Sequence, residues 1–129
     1  MDPSSPSRDG LPPTPAAEDP AGELLLVLTT MPDTGQAQQL ARALVAERLI
    51  ACANLVPGLT SVFRWEDEVQ TAGEVLLLLK TRRSKLSHLS ERVRALHPYD
   101  NPELLALPVE AGLEAYCHWV LDETGGRGA

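Results

Sequence analysis

The run His97-Pro98-Tyr99-Asp100-Asn101-Pro102-Glu103 holds the densest chemistry in the chain. One short connection supplies an imidazole, a phenol, carboxylates and an amide. Pro98 and Pro102 push His97 and Asn101 towards extended backbone, so the loop is stiff and presents its side chains at reproducible angles. Binding chemistry concentrates in such loops. Neutral imidazole binds copper and zinc well, which makes His97 the first candidate metal ligand and Glu103 the second, with Asp100 in reach. A metal centre needs about three or four donors at fixed geometry. The plainer alternative is that His97 caps a helix end or bonds a backbone carbonyl. His97 and Glu103 could also work as base and acid, but no Ser, Cys or metal triad surrounds them, and the chain reads as non-enzymatic. His88 and His118 read as solvated helix positions.

A second set of candidates lies on the strands. Lys80 closes an apolar run, which puts a cation at the end of a strand near a cleft mouth. It can draw in a small anionic ligand, or a carboxylate such as Glu74 or Glu103, or form an ion pair with another copy of the chain. Trp65 and Tyr99 are two of five aromatic residues. Both stand at strand or loop ends, where an amphipathic ring anchors an interface or lines a pocket. Phe63 and Trp65, two apart on one strand, share a face.

Composition narrows the partners. The chain has 129 residues and a net charge of −7, enough length for one domain with a real core. An acidic chain is a poor nucleic-acid binder, and stacking aromatics are missing where an RNA-recognition sheet would need them. An anionic membrane repels it, and no apolar run nears the roughly 20 residues of a membrane span. The exception is local: Lys80, Arg82, Arg83 and Lys85 cluster at one strand-to-helix junction, with Arg92 and Arg94 beyond. Cys52 and Cys117 form no C-x-x-C motif and read as small buried hydrophobes in a reducing compartment. The N-terminus lacks a signal-peptide pattern. The expected location is the cytoplasm.

Residues 1–22 are rich in proline and serine, with almost no large apolar side chain. Such a segment cannot offset its ordering entropy by burial, so a disordered tail is expected there. Residues 23–124 form the domain, and 125–129 a flexible end. Within the domain, Leu24 to Leu28 is a continuous apolar run that suits a strand buried on both faces. Asp33, with Gln36 three residues later, starts a helix in capping-box fashion. Ala37, Leu40, Ala41, Leu44 and Val45 make its inner stripe. Residues 50–56 read as a strand, Pro57-Gly58 as a bulge or bend, and residues 60–65 as the resumed strand. Glu66-Asp67-Glu68 is a hairpin turn. Residues 74–80 form the next strand. Ser84 caps the second helix, lined by Leu86, Leu89, Val93 and Leu96 and stopped at Pro98. Residues 104–109 form a fourth strand. Leu113, Tyr116, Cys117, Val120 and Leu121 mark a third helix, ended by Gly125.

This order is the split β-α-β repeat of an α+β, ferredoxin-like fold. Right-handed crossovers leave one antiparallel sheet with two helices on one face. The strands are apolar on both sides, and the C-terminal helix is too short to cover the second face. Other copies of the chain are expected to cover the rest.

Several segments, in order, resemble the CutA family, named for divalent-cation tolerance. They are Thr29-Thr30-Met31-Pro32, Arg48-Leu49-Ile50-Ala51-Cys52-Ala53-Asn54-Leu55-Val56-Pro57-Gly58, Ser61-Val62-Phe63-Arg64-Trp65, Lys80-Thr81, His97-Pro98-Tyr99, Pro102-Glu103, Leu107-Pro108-Val109 and Tyr116-Cys117-His118-Trp119. The resemblance covers roughly residues 23–124. It implies a homotrimer similar in architecture to PII-type signalling proteins, with clefts between protomers and no established enzymatic chemistry. It implies no certain cofactor, copper(II) or another divalent cation being the metal concerned. The family's proposed metal ligands are a Cys, a His and a Glu. They fall here on Thr29, Leu96 and Glu103, and His97 stands one residue past the second. The resemblance also places a glycine where this chain has its Glu66-Asp67-Glu68 turn. Two functions follow as expectations: a trimeric copper-tolerance protein, or a PII-like sensor of a small anion in an intersubunit cleft near Lys80, Tyr99 and Glu103.

Overall fold

The computed structural model describes residues 20–125. The expectations for residues 1–19 and 126–129 lie outside the described residues. A 3-10 turn at Pro20–Glu23 leads into β1 (Leu24–Met31) and then α1 (Thr34–Ala46). Two long strands follow, β2 (Cys52–Trp65) and β3 (Glu68–Arg82). A 3-10 turn (Arg83–Lys85), α2 (Leu86–Leu96), β4 (Leu105–Pro108) and α3 (Glu114–Glu123) complete the chain. The folded part starts before residue 23, because Ala21 is buried against α3 residues.

The sheet order is β2-β3-β1-β4, with every neighbouring pair antiparallel. This is the α+β, ferredoxin-like arrangement expected. Odd-numbered residues of β1 and β3 face the two helices. Leu25, Val27, Met31, Val75, Leu77 and Leu79 join Leu40, Leu44, Leu89 and Val93 in one core cluster. Asp33 starts α1 as its sequence predicts: Oδ1 accepts from the Gln36 backbone N at 2.8 Å, and Oδ2 from Gln36 Nε2 at 2.8 Å. Ser84 does not cap α2; it lies inside the intervening 3-10 turn, and the residue at the cap is Lys85, without a side-chain bond.

The even-numbered face is covered only in part. α3 lies over the end of it, where Cys117, Val120 and Leu121 pack on Leu24 and Ala51. Leu113 and Tyr116, expected on that helix's inner stripe, are exposed. The rest of the face carries half-buried Leu26, Leu28, Leu76 and Leu78, with Val56, Leu105 and Leu107 exposed at 44%, 58% and 43%.

β2 and β3 run well past the core. Their register slips by one residue between Val56 and Leu59, where Gly58 takes φ +83°. This is the bulge expected at Pro57-Gly58. It reverses the side-chain alternation of β2. Val56 pairs with Leu76 and Leu59 with Glu74, so Phe63 and Trp65, opposite Gln70 and Glu68, fall on the same open face as Leu76 and Leu78. Without the extra residue, Val62 and Arg64 would stand there instead.

Candidate functional site

Two polar groups of side chains occupy opposite ends of the open sheet face. The first is organised by the connection after α2. Pro98 has no amide hydrogen to continue the helix, so α2 closes at His97, whose N–H bonds Val93 O at 2.9 Å. The His97 backbone is extended, with φ −82° and ψ 139°, and its ring turns into the protein. Nε2 lies 2.7 Å from the Thr30 carbonyl, and Nδ1 accepts from the Tyr99 backbone N at 3.1 Å. These two bonds set the tautomer: Nε2 carries the hydrogen and Nδ1 the lone pair. The ring is 8% exposed and packs on Tyr99, with ring centroids 4.8 Å apart.

Tyr99 carries the network onward. Its hydroxyl donates to Glu74 Oε2 at 2.8 Å, and Ser61 Oγ donates to Glu74 Oε1 at 2.6 Å. Burial, followed by the Glu74 carboxylate, pushes the Tyr99 phenol up to about 12. Thr29, on the helix side of β1, donates to the Glu103 carbonyl at 2.6 Å, which pins the far end of the loop. The Glu103 side chain itself is exposed.

This geometry does not fit a metal centre within one chain. Both ring nitrogens of His97 are already engaged, and no three His, Cys, Asp or Glu side chains converge among the described residues. His97 is therefore the carbonyl-bonding histidine of the plainer alternative, and it is not paired with the Glu103 carboxylate.

The second group surrounds Lys80. Its ammonium donates to Asn54 Oδ1 and lies 3.9 Å from Cys52 Sγ. Cys52 is directly opposite Lys80 in the β2–β3 register. Nearby on α3, the Tyr116 phenol has its pKa raised by burial first and then by Cys52. Burial likewise raises the Cys117 thiol. Sequence reading named Lys80 as a site residue but gave no such role to Cys52, Asn54 or Tyr116, because the strand register and the seating of α3 bring them near it.

Lys80 and Tyr99 do not share a cleft in the protomer. Tyr99 bonds Glu74, and Glu74 is six residues from Lys80 on one strand, roughly 20 Å away. Trp65 stands apart from both, at the hairpin end and 52% exposed. The basic cluster is also dispersed. Arg82 is 2% exposed and bonds Glu23 Oε1 at 3.0 Å and the Leu121 carbonyl at 3.3 Å. Arg83 bonds the Gly22 carbonyl, and Arg92 forms a two-point pair with Glu47. Arg83 and Arg94 line a groove on the outer side of α2 with Leu86, Ser87, Ser90 and Glu91, away from Lys80 and His97.

The pattern of the family described as "CutA1 divalent ion tolerance protein" matches residues 25–123. The chain belongs to the CutA1 divalent ion tolerance family. It is 50% identical over 100 residues to the divalent-cation tolerance protein CutA of Thermus thermophilus, covering 78% of this chain and 97% of that one. It is 44% identical over 100 residues to the chloroplastic protein CutA of Arabidopsis thaliana, covering 78% of this chain and 55% of that longer one. The solved CutA1 structure from Thermus thermophilus has a TM-score of 0.77 at 49% identity, covering 79% of this chain and 99% of that one. The rice CutA1 structure has a TM-score of 0.78 at 41% identity, covering 83% and 96%. The CutA family resemblance read from the sequence is thus correct. Among the described residues no helix is long and apolar enough to cross a membrane.

Proposed function

We propose that this protein is a non-enzymatic homotrimer of divalent-cation tolerance, with copper(II) as the cation concerned and the cytoplasm as its place of action. The family and the names of the relatives support the tolerance role. The open sheet face carries the proposal of self-assembly. Leu26, Leu28, Leu76 and Leu78 lie at its centre, flanked by exposed Val56, Leu105 and Leu107. An apolar patch of that extent is a binding surface on a soluble protein. The hairpin that projects beyond its own core gives each copy a second, different surface. Contacts between unlike surfaces close into rings, and the family resemblance sets the number at three.

The response to copper is not assigned to a centre made by His97 and Glu103, because His97 has no open nitrogen. Sedimentation equilibrium at micromolar concentration tests the assembly: the mass of three chains is expected, and a single chain overturns it. Growth in copper of a bacterial host lacking its own family member tests the role. Expression of this chain should restore tolerance, and no restoration removes the reading.

One observation favours the anion-sensor alternative: Lys80 is a half-buried cation with no carboxylate bonded to it among the described residues. Equilibrium dialysis against inorganic phosphate and nucleotides tests that reading, and absence of retention removes it.

A further inference from the structure

We propose that the charge of Lys80 is answered by Glu68 of the next copy in the assembly. This rests on the trimer reading above and adds the contact that orients it. Lys80 lies on the open sheet face, on the same strand side as Leu76 and Leu78. Among the described residues its ammonium bonds only neutral groups, Asn54 and Cys52. Covering that face with another molecule strips water from the ammonium. An uncompensated charge there disfavours the contact, so a docking surface has to bring a carboxylate.

The chain carries such a surface at its hairpin end. Glu68 is the cross-strand partner of Trp65, one pair beyond Phe63 and Gln70. The bulge at Pro57-Gly58 puts Phe63, Trp65 and Glu68 together on the open-face side. Phe63 and Trp65 are 40% and 52% exposed, and Glu68 is exposed without an ion pair among the described residues. Two aromatic rings beside a carboxylate complement an apolar face that contains one ammonium.

The two groups cannot meet within one chain. Twelve residues of a single extended strand separate Glu68 from Lys80, roughly 40 Å. The contact is therefore between copies and joins unlike surfaces, as ring closure requires. Glu66 and Asp67 belong to the turn itself and serve as a built-in comparison.

The experiment is sedimentation velocity of the full chain over a dilution series, with charge reversals. Lys80→Glu and Glu68→Lys should each raise the concentration at which the assembly falls apart at least tenfold. The double reversal should return to within threefold of wild type, while Glu66→Lys changes it less than threefold. A double variant no better than the single ones overturns the contact, as does an assembly indifferent to both reversals. Should Lys80→Glu fail to fold, Glu68→Lys decides alone, because its site is exposed and outside the core; unchanged assembly overturns the contact. A wild-type chain that sediments as one copy removes the trimer reading itself, a different failure. Retention of inorganic phosphate that is lost in Lys80→Glu, with assembly unchanged, assigns the cation to a small anion and overturns the contact.

Discussion

Tyr99 donates its phenolic hydrogen to Glu74 over 2.8 Å, and this bond ties the loop after α2 to the middle of β3. Removing it with Tyr99→Phe should cost about 1.5–3 kcal/mol, the range for a hydrogen bond to a charged group. The same bond has a signature at alkaline pH. An unfolded tyrosine titrates near 10, whereas Tyr99 in the fold is pushed up to about 12 by burial and by Glu74. The folded state therefore holds its proton longer than the unfolded one. The associated stability is complete below about pH 10 and is lost as the pH rises towards 12. Urea midpoints measured across that window should fall more steeply for wild type than for Tyr99→Phe. Parallel slopes would mean that Tyr99 does not carry the linkage.

His97 binds the Thr30 carbonyl at one nitrogen and the Tyr99 amide at the other. His97→Ala leaves the buried Thr30 carbonyl and the half-buried Tyr99 amide without this partner, at about 1–3 kcal/mol for a fully buried unsatisfied group and less for a half-buried one. A total loss of about 2–4 kcal/mol in urea unfolding is expected. Copper(II) affinity by isothermal titration should match wild type. A large drop in affinity with unchanged stability would reverse the assignment and make His97 a ligand.

Much of the fold was legible because apolar spacing reported the core. The α1 stripe, the strand at Leu24 and the stop at Pro98 all follow from residues that touch the core. The outer part of β3 was missed in the sequence reading because Val69 to Gly73 add nothing to the core among the described residues. Their side chains are exposed or nearly so and alternate without an apolar signal. At the candidate site, the loop was legible but its pairing was not. His97 looks like a ligand until the Thr30 carbonyl, 67 residues earlier, fills its Nε2 position. Arg82 shows the same blindness: it sits in a basic run, but strand alternation sends it beneath α3. Register carries that information, and in the sequence only the odd-even parity of β3 hints at it.

The hairpin turn is a place where the chain works against its own preference. Glu66 and Asp67 have φ of 50° and 66°, the left-handed pair of a two-residue turn that favours Asn-Gly. Each non-glycine residue in that region costs about 1 kcal/mol. Glu66→Asn combined with Asp67→Gly should raise stability by about 1–2 kcal/mol, seen as a higher urea midpoint with an unchanged slope. Sedimentation should be unaffected, since Glu68 is retained. A gain that comes with altered assembly would mean that the two acidic turn residues take part in the contact between copies.

Two glycines separate backbone cost from packing cost. At Gly58 a Cβ meets no atom of the described residues within 4 Å, but the backbone has φ +83°. Gly58→Ala should therefore lose about 1 kcal/mol purely from conformation, and no second change elsewhere in the core should recover it. At Gly112 the added Cβ would lie 2.9 Å from Cys117 Sγ, in a cluster where Cys117 is 1% exposed. The start of α3 has to shift, at about 1–3 kcal/mol. Cys117→Ala removes the obstructing atom, so the pair Gly112→Ala with Cys117→Ala should show a coupling of about 1 kcal/mol or more in a double-mutant cycle. Gly58→Ala with Cys117→Ala should show none. Additive losses for the Gly112 pair would mean that the helix start yields without strain and that the thiol does not hold it in place.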